Sequence, residues 1–267
     1  MNHKDKSFKH VVLFLLYTFS ITWISWGIIL IGNLYFDSLW YGEPLFWIPF
    51  LVGGLGPAIG FYINYRQFPE DLANHSFVSI IFSKIDRRDL TVFILYTVWR
   101  LLMIWIAFGI NEPISILYLF INFPLLIVGG GLEELGWRGY LQPKLEKIFH
   151  FVPSVIIVGI IWAVWHLPLW LVEGTIQSSL SFGMYTLMVI ILSFSFTFIY
   201  KFTKNVFLCV LSHAWFNGCI GLVVYIGSDG YLQLDMKWMI ILVFVVELVF
   251  SVILGIFITK RNTLKRV

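Results

Sequence analysis

Three polar clusters stand out in a chain that is otherwise almost entirely apolar. They read Glu133-Glu134-x-x-x-Arg138, Trp162-x-x-x-His166 and His213-x-x-x-Asn217. Each cluster pairs two side chains at positions i and i+4, which lie on the same face of a helix. Ionisable groups inside a bilayer are costly and are functional candidates by default. Because two carboxylates and two imidazoles can activate water, the first hypothesis is a hydrolase embedded in a membrane.

The composition makes lipid the solvent for most of the chain. Of its 267 residues, 59% are hydrophobic and 12% are charged, and the mean hydropathy is +0.87. A water-soluble domain of this length could not bury so much apolar surface. No polar linker divides the sequence, so we predict a single transmembrane domain over 1–267. The net charge of +3 includes no basic run outside the predicted membrane flanks, which argues against a nucleic-acid partner.

Apolar windows predict an all-α protein with about eight transmembrane helices. These lie at 11–31, 45–64, 90–110, 114–131, 152–172, 179–200, 205–226 and 238–259. We expect the fourth helix to continue past Gly131, because 132–141 contains no helix breaker other than single glycines. The glycines at 129–131 lower the helix propensity but leave room for water or a close neighbour beside the glutamates.

The basic residues predict how the helices are oriented. Sixteen of the 18 Lys and Arg residues fall at one end of the predicted bundle, whereas Lys237 falls at the other end and Arg100 within a span. Cytoplasmic loops are enriched in Lys and Arg. We therefore predict that this basic end, together with both termini, faces the cytoplasm, which requires an even number of spans.

The two adjacent glutamates are expected to have different partners. Glu133 and Glu134 are about 100° apart on a helix, so they face different directions. Glu134 shares a face with Arg138 and is positioned for an ion pair, whereas Glu133 has no such basic partner. Glu133 is thus the better candidate for a free carboxylate that lines a cavity. The alternative is that both carboxylates are ordinary solvated charges in the headgroup zone.

The two histidine clusters have structural alternatives as well. His166 lies about 14 residues, or about 20 Å, into its predicted span, close to mid-membrane. Pro168 removes the hydrogen bond to the carbonyl of Val164 and should loosen the helix there. His166 could be a hydrogen-bonded packing residue, and His213 with Asn217 a polar clamp between helices. Three such clusters in one chain favour a functional interpretation.

Arg100 and Glu247 are two further charges predicted to lie within spans. By helical rise each is about 15–18 Å from the cytoplasmic end of its span. We expect them to pair with each other and to hold the bundle together. Contact of Arg100 with Glu133 or Glu134 would instead assign it to the polar site.

Several common hydrolase chemistries lack the residues that they need. The sequence has no HExxH motif for a helical zinc protease, no aspartate within a predicted span, and no GxSxG turn for a serine nucleophile. What remains is the activation of water by a carboxylate and an imidazole, with or without a metal.

In order and spacing, the three clusters resemble the CAAX-protease and bacteriocin-processing group of intramembrane proteases, often called the CPBP or Abi family. The family pattern is EExxxR, then FxxxH, then HxxxN or HxxxD, on separate helices. Gly139-Tyr140-Leu141 after the arginine and Leu167-Pro168 after the histidine also look typical. The resemblance covers about 115–225, which we interpret as the catalytic core. Trp162 departs from the phenylalanine of the family, and we interpret it as a packing position.

The resemblance implies an eight-helix bundle with a catalytic cavity that opens toward the cytoplasm. Glu133 would be the general base that activates water, with His166 assisting it, and His213 and Asn217 would support the oxyanion. Glu134 and Arg138 would lie behind them and fix the first catalytic helix. In the alternative that the resemblance leaves open, Glu133, His166 and His213 are ligands of a divalent metal, with zinc the first candidate.

From this resemblance we expect an intramembrane endopeptidase in a bacterial plasma membrane, acting on a membrane-bound peptide or protein. Eukaryotic members trim prenylated CaaX tails, whereas many bacterial relatives are linked to peptide pheromones, bacteriocin immunity or surface-protein regulation. One rival is a non-catalytic scaffold or immunity protein of the same fold. A second is a small transporter that relays protons through the same side chains, although the sequence has no repeated halves to support it.

Overall fold

The described residues form a bundle of helices and one antiparallel pairing of two-residue strands. The computed structural model describes residues 3–69, 76–108, 116–226, 232–233, 245–249, 252–253 and 257. The described helices are α1 (His3–Phe36), α2 (Trp47–Gly54), α3 (Gly56–Gln67), α4 (Phe77–Ile81), α5 (Arg87–Phe108), α6 (Ile116–Leu126), α7 (Glu133–Gly136), α8 (Gln142–Leu145), α9 (Phe151–Trp165), α10 (Phe182–Thr203) and α11 (Val206–Gly221). The two short strands are β1 (Tyr225–Ile226) and β2 (Leu232–Gln233).

The number of helices able to cross a membrane is five or six in the described part of the chain. The five are Ser7–Phe36, Arg87–Ile106, Leu117–Leu145, Phe151–Leu171 and Phe182–Thr203. The bent pair of α2 and α3 counts as a sixth if it forms one broken span, and α11 is apolar but shorter. The helical, multi-pass architecture is therefore confirmed. Most of the predicted eighth span, 238–259, lies outside the described residues, so the count of eight and the location of the termini stay predictions.

Helix α1 buries small hydroxyl residues among apolar side chains on its inner face, and its outer face is apolar. Thr18, Thr22 and Ser25 are buried in the bundle, whereas Ile24 and Ile28 are exposed. In water this distribution would leave large apolar side chains against the solvent. In lipid the hydrocarbon covers those side chains, and the small hydroxyl residues allow neighbouring helices to approach and to be hydrogen bonded.

The predicted span 45–64 is interrupted, which corrects the expectation of one continuous helix. α2 and α3 are bent by 42° at their junction. Pro57 has no backbone N–H to donate to the carbonyl of Gly53, and its ring disfavours a helical residue before it. The hydroxyl of Thr22 donates to that carbonyl at 2.7 Å instead. The break therefore ties α2 to α1.

The predicted seventh span, 205–226, is also shorter than expected. α11 ends at Gly221, and Tyr225 and Ile226 pair with Gln233 and Leu232 in the antiparallel ladder. Apolar residues continue through 222–226, so a hydropathy window cannot distinguish this turn and strand from one more turn of helix.

The hypothesis that Arg100 pairs with Glu247 is confirmed. Both terminal nitrogens of Arg100 donate to the carboxylate of Glu247, and both side chains are buried. Arg100 also donates to the hydroxyl of Tyr96 at 2.7 Å, and Ser195 donates to Glu247. Two charges that would each be costly in hydrocarbon thus satisfy one another and link α5, α10 and the segment around 247.

Replacing Arg100 by Met should leave Glu247 as an unpaired buried carboxylate and lower the free energy of unfolding by about 3–5 kcal/mol. Arg100→Met/Glu247→Met removes both charges and should recover most of that loss. Unfolding of the detergent-solubilised protein, followed by circular dichroism, measures both variants. A double variant no more stable than the single one would contradict the pairing.

Candidate active site

The segment from Ile127 to Leu141 sets the directions of the two glutamates. Two π-helical turns, Ile127–Gly131 and Trp137–Leu141, flank the single turn of α7. The helical path is interrupted at Gly129 and Gly130, just before the glutamates. The glycines have the two roles expected from the sequence, since they leave space beside the glutamates and allow a neighbouring helix to approach. Gly129 lines a cavity, and a Cβ on Gly131 would lie 2.7 Å from the carbonyl oxygen of Val210 in α11.

Glu133 is a buried carboxylate held by two indole N–H groups. Its side chain faces a cavity although the residue is only 6% exposed. Trp162 donates to Oε2 at 2.7 Å and Trp137 donates to the same oxygen at 3.3 Å. Both donors are neutral dipoles. They fix the position of the carboxylate without neutralising it, and they occupy one of its two oxygens.

Glu134 is fully buried and shared between two partners. Nη1 of Arg138 lies 3.1 Å from its carboxylate, as the sequence predicted. Nδ1 of His213 lies 3.0 Å from Oε1, a contact that the spacing in the sequence did not indicate. The guanidinium also donates to the carbonyl of Ser193 at 3.1 Å. This network, Glu134–Arg138–His213, excludes the interpretation of the glutamates as solvated headgroup charges.

His213 is oriented by this network and by two rings. Its imidazole stacks on Phe196, with 5.1 Å between centroids, and meets the edge of Trp162 at 5.2 Å. A Cβ on Gly130 would lie 3.6 Å from Nε2 of His213 and 2.3 Å from Nδ2 of Asn217. The imidazole of His213 and the amide of Asn217 therefore both lie close to the backbone of Gly130. A side chain at this position would displace the Asn217 amide.

His166 lies at the C-terminal end of α9, where Pro168 was expected to loosen the helix. The α-helix ends at Trp165 and a 3₁₀ turn, Leu167–Leu171, follows. Nδ1 of His166 lies 2.9 Å from the carbonyl oxygen of Trp162. A carbonyl can only accept, so Nδ1 carries the proton and Nε2 is the acceptor. The ring is also packed against Trp165 and Tyr185, at centroid distances of 4.5 and 5.5 Å.

One cavity of about 930 Å³ brings the predicted site residues together. Glu133, His166, His213 and Asn217 all line it, although they come from three separate helical segments. Glu134 and Arg138 are not part of its lining and lie behind it. The rest of the wall is mostly apolar and aromatic, so the four polar side chains converge on an apolar cavity.

The alternative zinc ligands, Glu133, His166 and His213, share this cavity but are not assembled as a ligand set. Across the described residues, no group of three or more His, Cys, Asp and Glu side chains is arranged to hold a metal ion. Nδ1 of each histidine has a protein partner, so only Nε2 of each ring is free to bind a metal ion. As they are placed, the three side chains do not form a three-ligand zinc site.

Trp162 is a packing position as expected, since it is buried in the apolar core, but it is also a hydrogen-bond donor. Its indole N–H makes the shorter of the two hydrogen bonds to Glu133, and its ring lies over the guanidinium of Arg138 at 5.2 Å. A phenylalanine could supply the ring but not the donor. The role of Trp137 was also missed, although it lies at i+4 from Glu133, the same spacing that identified the other pairs.

Comparisons with known proteins identify the same region of the chain. Residues 95–219 match the family described as type II CAAX prenyl endopeptidase Rce1-like. A CAAX prenyl protease 2 of Methanococcus maripaludis is 28% identical over 180 residues, which cover 62% of this chain and 64% of that relative. The chain thus spans less than two thirds of the relative's length. The resemblance to the CAAX-protease and bacteriocin-processing family is confirmed, and the matched region begins in α5, before the predicted core of 115–225.

Replacement by Gln should lower the free energy of unfolding much more at Glu134 than at Glu133. Glu134→Gln removes the charge that Arg138 and His213 share and should lower the free energy of unfolding by about 3–5 kcal/mol. Glu133→Gln keeps an oxygen that accepts from both tryptophans and leaves no buried charge unpaired, so the loss should stay below about 1 kcal/mol. Equilibrium unfolding in detergent compares the two, and equal losses would contradict this division of roles.

Proposed function

We propose that this multi-pass membrane protein, with the core of the CAAX-protease and bacteriocin-processing family, is an intramembrane endopeptidase that hydrolyses a membrane-associated peptide or protein. The observation that carries the proposal is the convergence of Glu133, His166, His213 and Asn217 on one apolar cavity. A structural clamp would need polar groups that satisfy each other. Here the carboxylate of Glu133 faces open space, and a separate carboxylate, Glu134, carries the structural ion pairs.

In the proposed reaction, Glu133 accepts a proton from a water molecule that attacks the scissile carbonyl. Both indole donors bind Oε2, which leaves Oε1 to act as the base. Nε2 of His166 is an acceptor and can take the second hydrogen bond of the same water, orienting it for attack. The proton held by Glu133 then passes to the leaving amine, so that water is consumed and two termini are formed.

His213 and Asn217 are proposed to stabilise the oxyanion that forms on the scissile carbonyl. The amide of Asn217 is a donor. His213 acts as a second donor in its imidazolium form, with Nδ1–H directed at the carboxylate of Glu134 and Nε2–H at the oxyanion. Donors that are fixed before the reaction need no reorganisation as charge develops. The Glu134–Arg138–His213 network would supply that rigidity without touching the substrate.

The apolar wall of the cavity favours an apolar peptide segment as the substrate. The relative from Methanococcus maripaludis is named as a CAAX prenyl protease, so a prenylated tail is one candidate, and a membrane-bound signalling or bacteriocin-type peptide is the other. The second fits the bacterial plasma membrane that the sequence interpretation favours. Comparison of prenylated and unprenylated peptides of one sequence distinguishes the two.

Glu133→Gln should abolish cleavage, because loss of a general base typically costs a factor of about 10²–10⁴. Peptide termini in membranes from cells with the wild type, with Glu133→Gln and without the protein reveal the substrate directly. Glu173→Gln is the matched control, since Glu173 is exposed and does not line the cavity. A Glu133→Gln profile that equals the wild type while the deletion differs would favour the scaffold or immunity protein. Flux without a peptide product would favour the transporter.

Trp162→Phe should lower kcat with little change in KM, since the ring is retained and only the donor to Glu133 is lost. Hydrogen bonds to charged groups contribute about 1.5–3 kcal/mol, which corresponds to a factor of about 10–100 in rate. Trp170→Phe is the control because Trp170 donates to the carbonyl of Leu180 over an equal 2.7 Å, away from Glu133. Similar kcat losses in both variants would assign Trp162 a structural role only.

A further inference from the structure

A peptide that enters an apolar cavity needs polar partners for its main chain. Each peptide group carries one N–H and one C=O, and burial of either without a hydrogen bond costs free energy. A helical segment satisfies these groups internally, whereas an extended segment does not. The four side chains proposed for the reaction are engaged with the attacking water and with one carbonyl oxygen. Partners for the neighbouring peptide groups must therefore come from other residues of the lining.

Two other polar side chains of the lining are already committed to the protein. The hydroxyl of Thr175 lies 2.8 and 2.9 Å from the carbonyl oxygens of Leu169 and Val172, so its proton is used within the loop. The indole N–H of Trp26 donates to the carbonyl of Phe50 at 3.0 Å. The polar lining residues that remain are Tyr41, Tyr118, Gln177 and Tyr185, of which Tyr185 is the buried one.

The ring of Tyr185 is fixed between two other rings. It meets His166 at a centroid distance of 5.5 Å and an interplanar angle of 71°, and it meets Trp170 at 4.8 Å and 80°. The residue is 8% exposed. The hydroxyl of Tyr185 is therefore held in place next to a proposed catalytic imidazole before any substrate binds.

Gln177 is held beside Tyr185 by the same loop. Gln177 begins the 3₁₀ turn Gln177–Ser179, and its carbonyl accepts from the backbone N–H of Leu180 at 3.0 Å. The carbonyl of Leu180 in turn accepts from the indole of Trp170 at 2.7 Å. Because Trp170 packs against Tyr185, the backbone of Gln177 and the ring of Tyr185 are fixed by one common contact.

The hydroxyl of Tyr185 lies between Glu133 and Gln177. The charge of Glu133 acts on it, the side chain of Gln177 is hydrogen bonded to it, and all three residues line the cavity. A carboxamide has two N–H donors and an acceptor oxygen, and a tyrosine hydroxyl both donates and accepts. One mutual hydrogen bond cannot saturate these groups. The pair keeps a donor and an acceptor, which is the complement of a peptide group.

We propose that Tyr185 and Gln177 form a subsite that binds the main chain of the substrate beside the scissile bond, next to His166. The subsite offers a donor to a peptide carbonyl and an acceptor to a peptide N–H. The substrate class is therefore a peptide segment that is extended rather than helical where it is cut, and the subsite tolerates different side chains. This inference rests on the proposed endopeptidase activity.

The first experiment measures binding in a protein that does not cleave. A synthetic peptide that spans the cut site found by the comparison of termini is titrated against detergent-solubilised Glu133→Gln. Adding Tyr185→Phe keeps the ring against His166 and Trp170 but removes the hydroxyl, and it should raise Kd by a factor of about 3–10. Tyr62→Phe is the matched control, because Tyr62 is exposed and lies outside the lining. An unchanged Kd in Tyr185→Phe overturns the subsite.

The kinetics of the cleaving protein separate binding from chemistry. A main-chain contact away from the reacting carbonyl stabilises substrate and transition state alike, so Tyr185→Phe should raise KM by the same factor with little change in kcat. A loss confined to kcat would assign Tyr185 to the chemistry or to the support of His166, and would overturn the subsite. Gln177→Leu should raise KM similarly, and it provides the test if Tyr185→Phe does not fold.

The substrate supplies the matching variants. Replacement of one peptide N–H near the cut site by an ester oxygen removes a donor that Gln177 would accept. At one position this replacement should raise Kd for Glu133→Gln by a factor of about 3–10, and it should have no further effect in Glu133→Gln/Gln177→Leu. Equal effects in both proteins at every position overturn the main-chain contact. Cleavage that is insensitive to Glu133→Gln instead overturns the proposed function, so the two failures are distinguishable.

Discussion

A charge cannot remain unpaired in hydrocarbon, and the organisation of the site follows from how this constraint is met around Glu134. Arg138 and His213 share its carboxylate, and Arg138 reaches on to the carbonyl of Ser193. These contacts connect the segment after α6 with α10 and α11. Because a buried ion pair is strongly destabilised when one partner is lost, each helix is held in register by the others. The cavity lies beside this network.

Glu133 meets the same constraint in a different way. Its Oε2 accepts from two indole N–H groups, and no Lys or Arg among the described residues pairs with it, so neutral dipoles rather than a counter-charge stabilise the carboxylate. Such an arrangement keeps a base available in an apolar space, whereas an ion pair would stabilise its charged form too strongly for proton transfer. Adjacent positions in one helical turn thus have different partners: Glu134 is held in ion pairs, and Glu133 is the carboxylate that we propose as the base.

The helices were predictable from apolar windows because lipid selects long hydrophobic segments regardless of their neighbours. The breaks within these helices and their early ends were harder to predict from the sequence. Pro57 and the glycines at 129–131 are readable signals, but the break at α2–α3 also needs Thr22 to take the carbonyl that Pro57 leaves free. The end of α11 at Gly221 had no local signal, since apolar residues continue beyond it. The pairing of Arg100 with Glu247 was predictable because two costly charges at similar depth have few other partners.

By itself, the sequence determined the polar residues of the site, their order along the chain and the division between Glu133 and Glu134, because helical spacing fixes which side chains share a face. It also determined which end of the bundle is basic. Only the tertiary structure decided that His213 contacts Glu134 and that Trp162 is a donor to Glu133. Those features depend on distances between helices, and the crossing of helices is set by packing across the whole bundle rather than by any local pattern.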